Sequence, residues 1–219
     1  MACWSAENAT KAYLRTLKMG KRANEPDVAE FVSALAAGNS AKLMVEACMD
    51  TAGATTLALV AAAHQTGGRV VCILPGLNQL HSSENALGPE ADRVEFVIGD
   101  ARTLLLNDYR GADFVLIDCN LENYEGILEA AQAGANHGGA VVVGLNALCK
   151  GSWSRSTGSK TQLLPIGEGL LVTRIPANIA KVGDHGGAKR SRWVVRVDKC
   201  TGEEHVFRIR SPQRKVIEA

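Results

Sequence analysis

Three carboxylates stand at, or just past, the ends of short apolar runs in this sequence. Glu46 follows "KLMV", Asp100 follows "RVEFVI" and one glycine, and Asp118 ends "DFVLID". Carboxylates in such places can accept hydrogen bonds from a ligand or manage a proton, although an aspartate there can also cap the next loop or helix. Because parallel strands end at one edge of a sheet, where open α/β sheets bind ligands, we predict that the three side chains converge on one crevice.

Further polar residues follow Asp118 closely. Asn120, Asn123 and Tyr124 offer hydrogen bonds to a polar substrate. Turns also favour asparagine, so this pattern is compatible with a loop that has no ligand.

The stretch "VEACMDTAGATTLALVAAA", residues 45–63, predicts a buried strand, a turn and an apolar helix. Units of this kind hold nucleotide-like cofactors, usually with several glycines that let the backbone approach the ligand. Here only Gly53 is present. Asp50 and Thr51 in the same turn either cap the helix or contact a ligand.

These side chains need a framework of alternating strands and helices. Short β-branched apolar runs separated by helical segments are typical of a parallel sheet covered on both faces. Right-handed crossovers then predict a doubly wound, mostly parallel α/β sheet. The predicted strands are 42–47, 69–74, 93–98, 113–118 and 140–145, and the predicted helices are 6–17, 27–37, 55–64, 79–87, 102–107 and 124–135.

The pattern changes after Asn146. A polar loop, "ALCKGSWSRSTGSK", precedes two pairs of short strands, at 161–175 and 192–210, each with a glycine turn. The chain is therefore predicted to close with antiparallel strands. We expect one domain over 1–219, made of N-terminal helices (1–40), a core (41–146) and a C-terminal loop with antiparallel strands (147–219).

Composition excludes several classes of function. The chain has 219 residues, 46% hydrophobic, with a formal net charge of +1, so nothing indicates a nucleic-acid or membrane partner. From Lys181 onward there are 10 Lys/Arg and 5 Asp/Glu, which predicts a solvated basic surface or a patch for an anionic partner. Six cysteines without a C-x-x-C pair predict no zinc site and a reducing, cytoplasmic location.

The order of these elements resembles the small cation-dependent O-methyltransferases, such as the catechol and caffeoyl-CoA enzymes, which use S-adenosylmethionine. The matching stretches, within 25–146, are "EPDVAEFVSAL", "AKLMVEA", "VEFVIGDA", "DFVLIDCNLENY" and "GGAVVVGLN". More closely, "AYLRTLK", "ALAAGNSAKLMVE", "DFVLIDC" and "SRWVVRVDKCTGEEHVFRIR" resemble a plant family of uncharacterised proteins related to those enzymes. The resemblance implies a Rossmann-like methyltransferase fold.

The resemblance also implies a cofactor site that is eroded here. Glu46 matches the acid of the first strand, and Asp100 matches the residue beside the adenine. The usual ribose-binding acid is replaced by Leu74, which cannot accept hydrogen bonds from two hydroxyls. The implied binding set for S-adenosylmethionine is Glu46, Asp50, Thr51, Gly53, Gly99, Asp100, Ala101 and Asp118.

The metal site of the resembled enzymes is also incomplete. Asp118 matches one metal-binding aspartate, Leu121 replaces the catalytic lysine, and Leu145-Asn146 replaces an Asp-Asn pair. Magnesium requires a shell of hard oxygens, and one carboxylate with one amide is a thin set, so we expect no bound metal. The candidate catalytic residues are Asp118, Asn146 and Asn120.

Three functions remain open at this point. The first is a methyltransferase that acts on a small molecule with S-adenosylmethionine and no metal. The second is a protein of the same fold that binds a small molecule, or catalyses an unrelated reaction, without methylating. The third is a regulatory or scaffold protein that uses its basic C-terminal hairpin, including Arg208 and Arg210. A homodimer is a possible assembly in each case.

Overall fold

A computed structural model describes residues 4–19, 27–135, 138–149, 160–176, 191–197 and 204–210. The contacts divide the chain into two compact units, Met1–Ile179 and Ala180–Ala219. The first contains a seven-stranded sheet with helices, and the second contains a two-stranded antiparallel sheet. The expectation of one domain over 1–219 stays a prediction.

The predicted core strands and helices are all present, with ends that differ by at most two residues. In the described part of the chain, no helix combines the length and apolar character that crossing a membrane requires. The helices are α1 (Ala6–Met19), α2 (Val28–Gly38), α3 (Ala54–Thr66), α4 (Leu77–Leu87), α5 (Ala101–Leu106) and α6 (Tyr124–Gly134), with 3₁₀ turns at Gly88–Arg93 and Ala147–Cys149. The strands are β1 (Leu43–Ala47), β2 (Arg69–Leu74), β3 (Val94–Ile98), β4 (Phe114–Asp118), β5 (Ala140–Leu145), β6 (Lys160–Leu164), β7 (Leu170–Ile175), β8 (Ser191–Val197) and β9 (Glu204–Arg210).

The large sheet has the strand order β3-β2-β1-β4-β5-β7-β6. Strands β1 to β5 pair in parallel, and β7 runs antiparallel to both β5 and β6. In the second unit, β8 and β9 pair antiparallel. The doubly wound, mostly parallel sheet with antiparallel C-terminal strands is therefore confirmed.

The central strands β1, β2, β4 and β5 are buried on both faces, to which their successive side chains point in alternation. On β1, Met44 lies in the core layer that contains Leu59 of α3. Its neighbour Val45 lies in the opposite layer, with Leu105 of α5 and Ile127 of α6. Helices on both faces leave the carboxyl ends of the parallel strands as the place where side chains can meet a ligand.

The register between β1 and β4 is fixed at their starts by Asp113. Its Oδ1 accepts hydrogen bonds from the backbone N–H of Lys42 at 3.0 Å and of Leu43 at 2.9 Å. The N–H of Asp113 donates in turn to the carbonyl of Leu43 at 3.1 Å. This contact aligns the two strands whose opposite ends carry Glu46 and Asp118.

We expect Asp113→Ala to lower the free energy of unfolding by about 1–3 kcal/mol, because backbone donors at the start of β1 lose their acceptor. The measurement is urea unfolding. The control is Asp108→Ala, which removes the same group from an exposed position and should change stability by less than about 0.5 kcal/mol. Equal losses for the two variants would contradict the role given to Asp113.

Candidate functional site at the carboxyl edge of the sheet

A cleft of about 540 Å³ lies beyond the carboxyl ends of the first four strands. It is lined mainly by residues 48–49 after β1, 73–75 at the end of β2, 99–101 after β3 and 120–123 after β4. Most of these side chains are apolar, and the polar ones stand on the segments after β3 and β4. The cleft therefore occupies the position where open parallel sheets bind small molecules.

Asp100 presents a carboxylate to the cleft at the start of α5. Its Oδ2 accepts hydrogen bonds from the Thr103 hydroxyl at 2.6 Å and from the Thr103 backbone N–H at 2.8 Å. These hydrogen bonds hold the pKa of Asp100 below its ordinary value. In the described part of the chain Oδ1 accepts no hydrogen bond, so a ligand can reach it. Gly99 and Ala101 line the cleft on either side, so these three predicted site residues lie together.

Glu46 lies below the cleft and does not line it. Its side chain is buried, and its two oxygens accept hydrogen bonds from the hydroxyls of Thr55 and Thr56, each at 2.6 Å. Burial raises the pKa of Glu46, the two hydroxyls oppose this shift, and the negative charge of Asp118 adds to it. The polar partners of this predicted ligand residue are thus the two hydroxyls of α3 and the thiol of Cys48.

The turn between β1 and α3 places three other predicted residues. Gly53 is the N-cap residue of α3, and its N–H donates to the Thr56 hydroxyl at 3.2 Å. Asp50 and Thr51 are exposed, and neither is the N-cap residue of α3. None of the three is among the residues that line the cleft. Their assignment to a cofactor stays a prediction.

The three predicted catalytic residues lie together at the ends of β4 and β5. Asp118 Oδ1 accepts hydrogen bonds from Asn146 Nδ2 and from the backbone N–H of Asn120, both at 2.9 Å. Asn146 has a left-handed backbone with φ of 57°, which asparagine tolerates better than most residues. Asn120 lines the cleft, whereas half-buried Asp118 and Asn146 do not line it.

Leu74 ends β2 as predicted, and its buried side chain lines the cleft. The neighbouring turn brings Met49 to the cleft with 49% of its surface exposed. These two side chains place hydrocarbon at the ends of β1 and β2.

Sequence reasoning missed a contact between two cysteines. Cys48 Sγ and Cys72 Sγ lie 3.3 Å apart beside Glu46, and Cys48 lines the cleft. Each cysteine stands in or beside an apolar run, where a reduced cysteine commonly packs as a small hydrophobic residue. Cys72 is paired in register with Glu46 and Cys48 follows Glu46 by two residues, but the sequence alone does not give this register.

Comparison with known families gives one match, over residues 1–209, to the family described as "Protein of unknown function (DUF1442)". The chain belongs to the DUF1442 family. Among curated proteins, none matches it.

Several solved structures similar to this member of the DUF1442 family are described as methyltransferases. A methyltransferase from Geobacter sulfurreducens is 21% identical with a TM-score of 0.57, over 78% of this chain and 90% of its own. A putative caffeoyl-CoA O-methyltransferase from Staphylococcus aureus is 16% identical with a TM-score of 0.56, over 78% and 93%. An O-methyltransferase from Bacillus cereus in complex with SAH is 16% identical with a TM-score of 0.54, over 78% and 91%. At these identities the likeness confirms the methyltransferase-like fold.

We expect Thr56→Val to lower the free energy of unfolding by about 1–3 kcal/mol, because a buried carboxylate loses a donor. Urea unfolding measures the change. Thr56→Ser is the matched control, since it keeps the hydroxyl and should retain most of the stability. If the serine and valine variants are equally destabilised, the hydroxyl contact with Glu46 is not what holds this position.

Proposed function

We propose that this chain binds S-adenosylmethionine in the cleft and methylates a small molecule without a metal ion at Asp118 and Asn146. The observation that carries the proposal is the free Oδ1 of Asp100 at the cleft, beside Gly99 and Ala101. The SAH bound by the Bacillus cereus O-methyltransferase, which has a similar fold, supports an S-adenosyl ligand here.

The cleft fits the adenine end of such a ligand. Asp100 Oδ1 can accept a hydrogen bond from the amino group of adenine. Ala101, Leu121 and Ile127 provide apolar lining beside it. A site of this kind combines apolar walls with a few polar groups that fix orientation.

The ribose and methionine ends fit less well. Leu74 offers no acceptor to the ribose hydroxyls, and Glu46 is already hydrogen-bonded below the cleft. Ribose hydroxyls that face water remain hydrated. Each hydrogen bond that the protein does not make to them then costs about 1 kcal/mol of binding free energy, compared with a site that has the acid. We therefore propose weaker binding than an acid at position 74 would give.

The proposed chemistry uses Asp118 and its two partners. When bound, S-adenosylmethionine supplies an electrophilic methyl group. Asn146 and Asn120 hold Asp118 through Oδ1, while Oδ2 accepts no hydrogen bond in the described part of the chain. Oδ2 can accept a hydrogen bond from an acceptor hydroxyl, orient it and take its proton.

The residues at this edge supply few ligands for magnesium. Asp118 and Asn146 form a hydrogen-bonded pair, and together they offer one carboxylate and one amide. Because magnesium prefers a full shell of hard oxygens, we propose methyl transfer without it.

A second candidate is a small-molecule-binding protein of this fold that does not transfer methyl groups. The observation that favours it is the hydrocarbon of Leu74 and Met49 in the cleft. These side chains suit an apolar ligand better than a ribose and an amino acid.

We expect isothermal titration calorimetry to detect binding of S-adenosylmethionine and SAH, and Asp100→Asn to weaken both by about tenfold. The asparagine oxygen can still accept from Thr103, so the helix cap is kept. Its amide NH₂ then replaces the free oxygen and cannot accept from adenine.

The control for this titration is Asp92→Asn, which makes the same change at an exposed position outside the cleft and should leave binding unchanged. No heat at high protein concentration would reject the methyltransferase proposal. Mass spectrometry of metabolites retained by the protein then tests the second candidate, which fails if only S-adenosyl compounds are recovered.

A further inference from the structure

Glu46, Cys48 and Cys72 meet on one face of the sheet because of strand geometry. Residues two apart on a strand share a face, as do residues paired across neighbouring strands. Glu46 pairs in register with Cys72, and the N–H of Cys48 continues the ladder to the carbonyl of Ile73 at 3.1 Å. A carboxylate oxygen and the two sulfurs consequently lie within 4.8 Å of one another.

We infer that Glu46, Cys48 and Cys72 bind a thiophilic divalent cation, with zinc as the representative ion, at the floor of the cleft. Zinc accepts thiolate and carboxylate ligands together, and a site with three protein ligands leaves one position open. The expectation of no zinc site was based on the absence of a C-x-x-C motif, and that criterion does not cover ligands that come from two paired strands.

The sulfurs are close to the spacing that zinc requires. Zinc–sulfur bonds of about 2.3 Å in a tetrahedron place two sulfurs about 3.8 Å apart. The sulfurs of Cys48 and Cys72 are 3.3 Å apart, so small side-chain rotations are sufficient. Because Cys48 lines the cleft, the open position can face it and hold water or a ligand.

The local charges favour a cation. None of the ion pairs in the described part of the chain involves Glu46 or Asp118. A bound cation would replace the thiol protons, which pass to solvent, and would balance the carboxylates.

Thr55 and Thr56 would serve as positioning residues for this site. Their hydroxyls hold both oxygens of Glu46, as hydrogen-bonded partners commonly hold a ligating carboxylate. Each carboxylate oxygen retains a lone pair for a metal after accepting one hydrogen bond.

The test is anaerobic titration of the reduced, metal-free full chain with cobalt(II), followed by displacement with zinc. We expect one cobalt per chain, with a thiolate-to-cobalt charge-transfer band and the intense visible bands of tetrahedral cobalt. Cys48→Ser and Cys72→Ser should each weaken binding by more than about 100-fold. Each should also remove the part of the charge-transfer absorption that the lost sulfur contributes. Thr55→Val, a positioning variant, should weaken binding by about 10- to 100-fold while keeping the band.

The remaining cysteines provide the controls. Cys119→Ala, and a variant with serine at Cys3, Cys149 and Cys200, should keep the spectrum and affinity. Loss of the band in either control, or its absence in the wild type, would overturn the inference. If excess zinc leaves the reactivity of Cys48 and Cys72 toward a thiol reagent unchanged, the inference is also overturned. If a serine variant fails to fold, Glu46→Gln replaces it, with an expected loss of at least tenfold in affinity.

This site does not depend on the proposed methyltransferase activity. The titration contains no S-adenosyl compound, and the calorimetry of that proposal needs no metal. Failure of one leaves the other standing.

Discussion

The central place of β1, between β2 and β4, is the constraint on which the carboxyl edge depends. Parallel pairing on both sides places the carboxyl ends of these three strands at the same edge of the sheet. Glu46 is thereby held opposite Cys72, and the loops after β1 to β4 surround a shared cleft. A shift of one residue in β1 would turn Glu46 to the other face of the sheet and remove both arrangements.

Burial of Glu46 sets the second requirement. A carboxylate in the interior is costly unless hydrogen-bond donors satisfy it. Two consecutive threonines in the first turn of α3 meet this need, so the acid ties the strand to the helix that follows it. The same contacts keep this carboxylate out of the cleft, which leaves the polar groups of the cleft mainly on the segments after β3 and β4.

The framework could be predicted well because its signals are local. β2 is bounded as predicted, since an apolar β-branched run stands between Gly68 and Pro75. α4 begins two residues earlier than predicted, at Leu77, because its N-cap is Gly76, which supplies no side-chain signal.

The site was only partly predictable because its contacts depend on how the strands pair and how the side chains are oriented. The hydrogen bond between Asp118 and Asn146 follows from the adjacency of β4 and β5, which the strand pattern allows. The partners of Glu46 and the approach of Cys48 to Cys72 depend on side-chain rotamers and exact register. Neither the rotamers nor the register can be derived from the spacing of residues along the sequence.

The left-handed backbone of Asn146 has an evolutionary consequence. Glycine, asparagine and aspartate are the residues that occupy this conformation readily. The residues tolerated at position 146 are therefore few. One of them, aspartate, would place a second acid beside Asp118. A lineage could exchange amide for acid at this edge, and with it one chemistry for another, while the chain path stayed as it is.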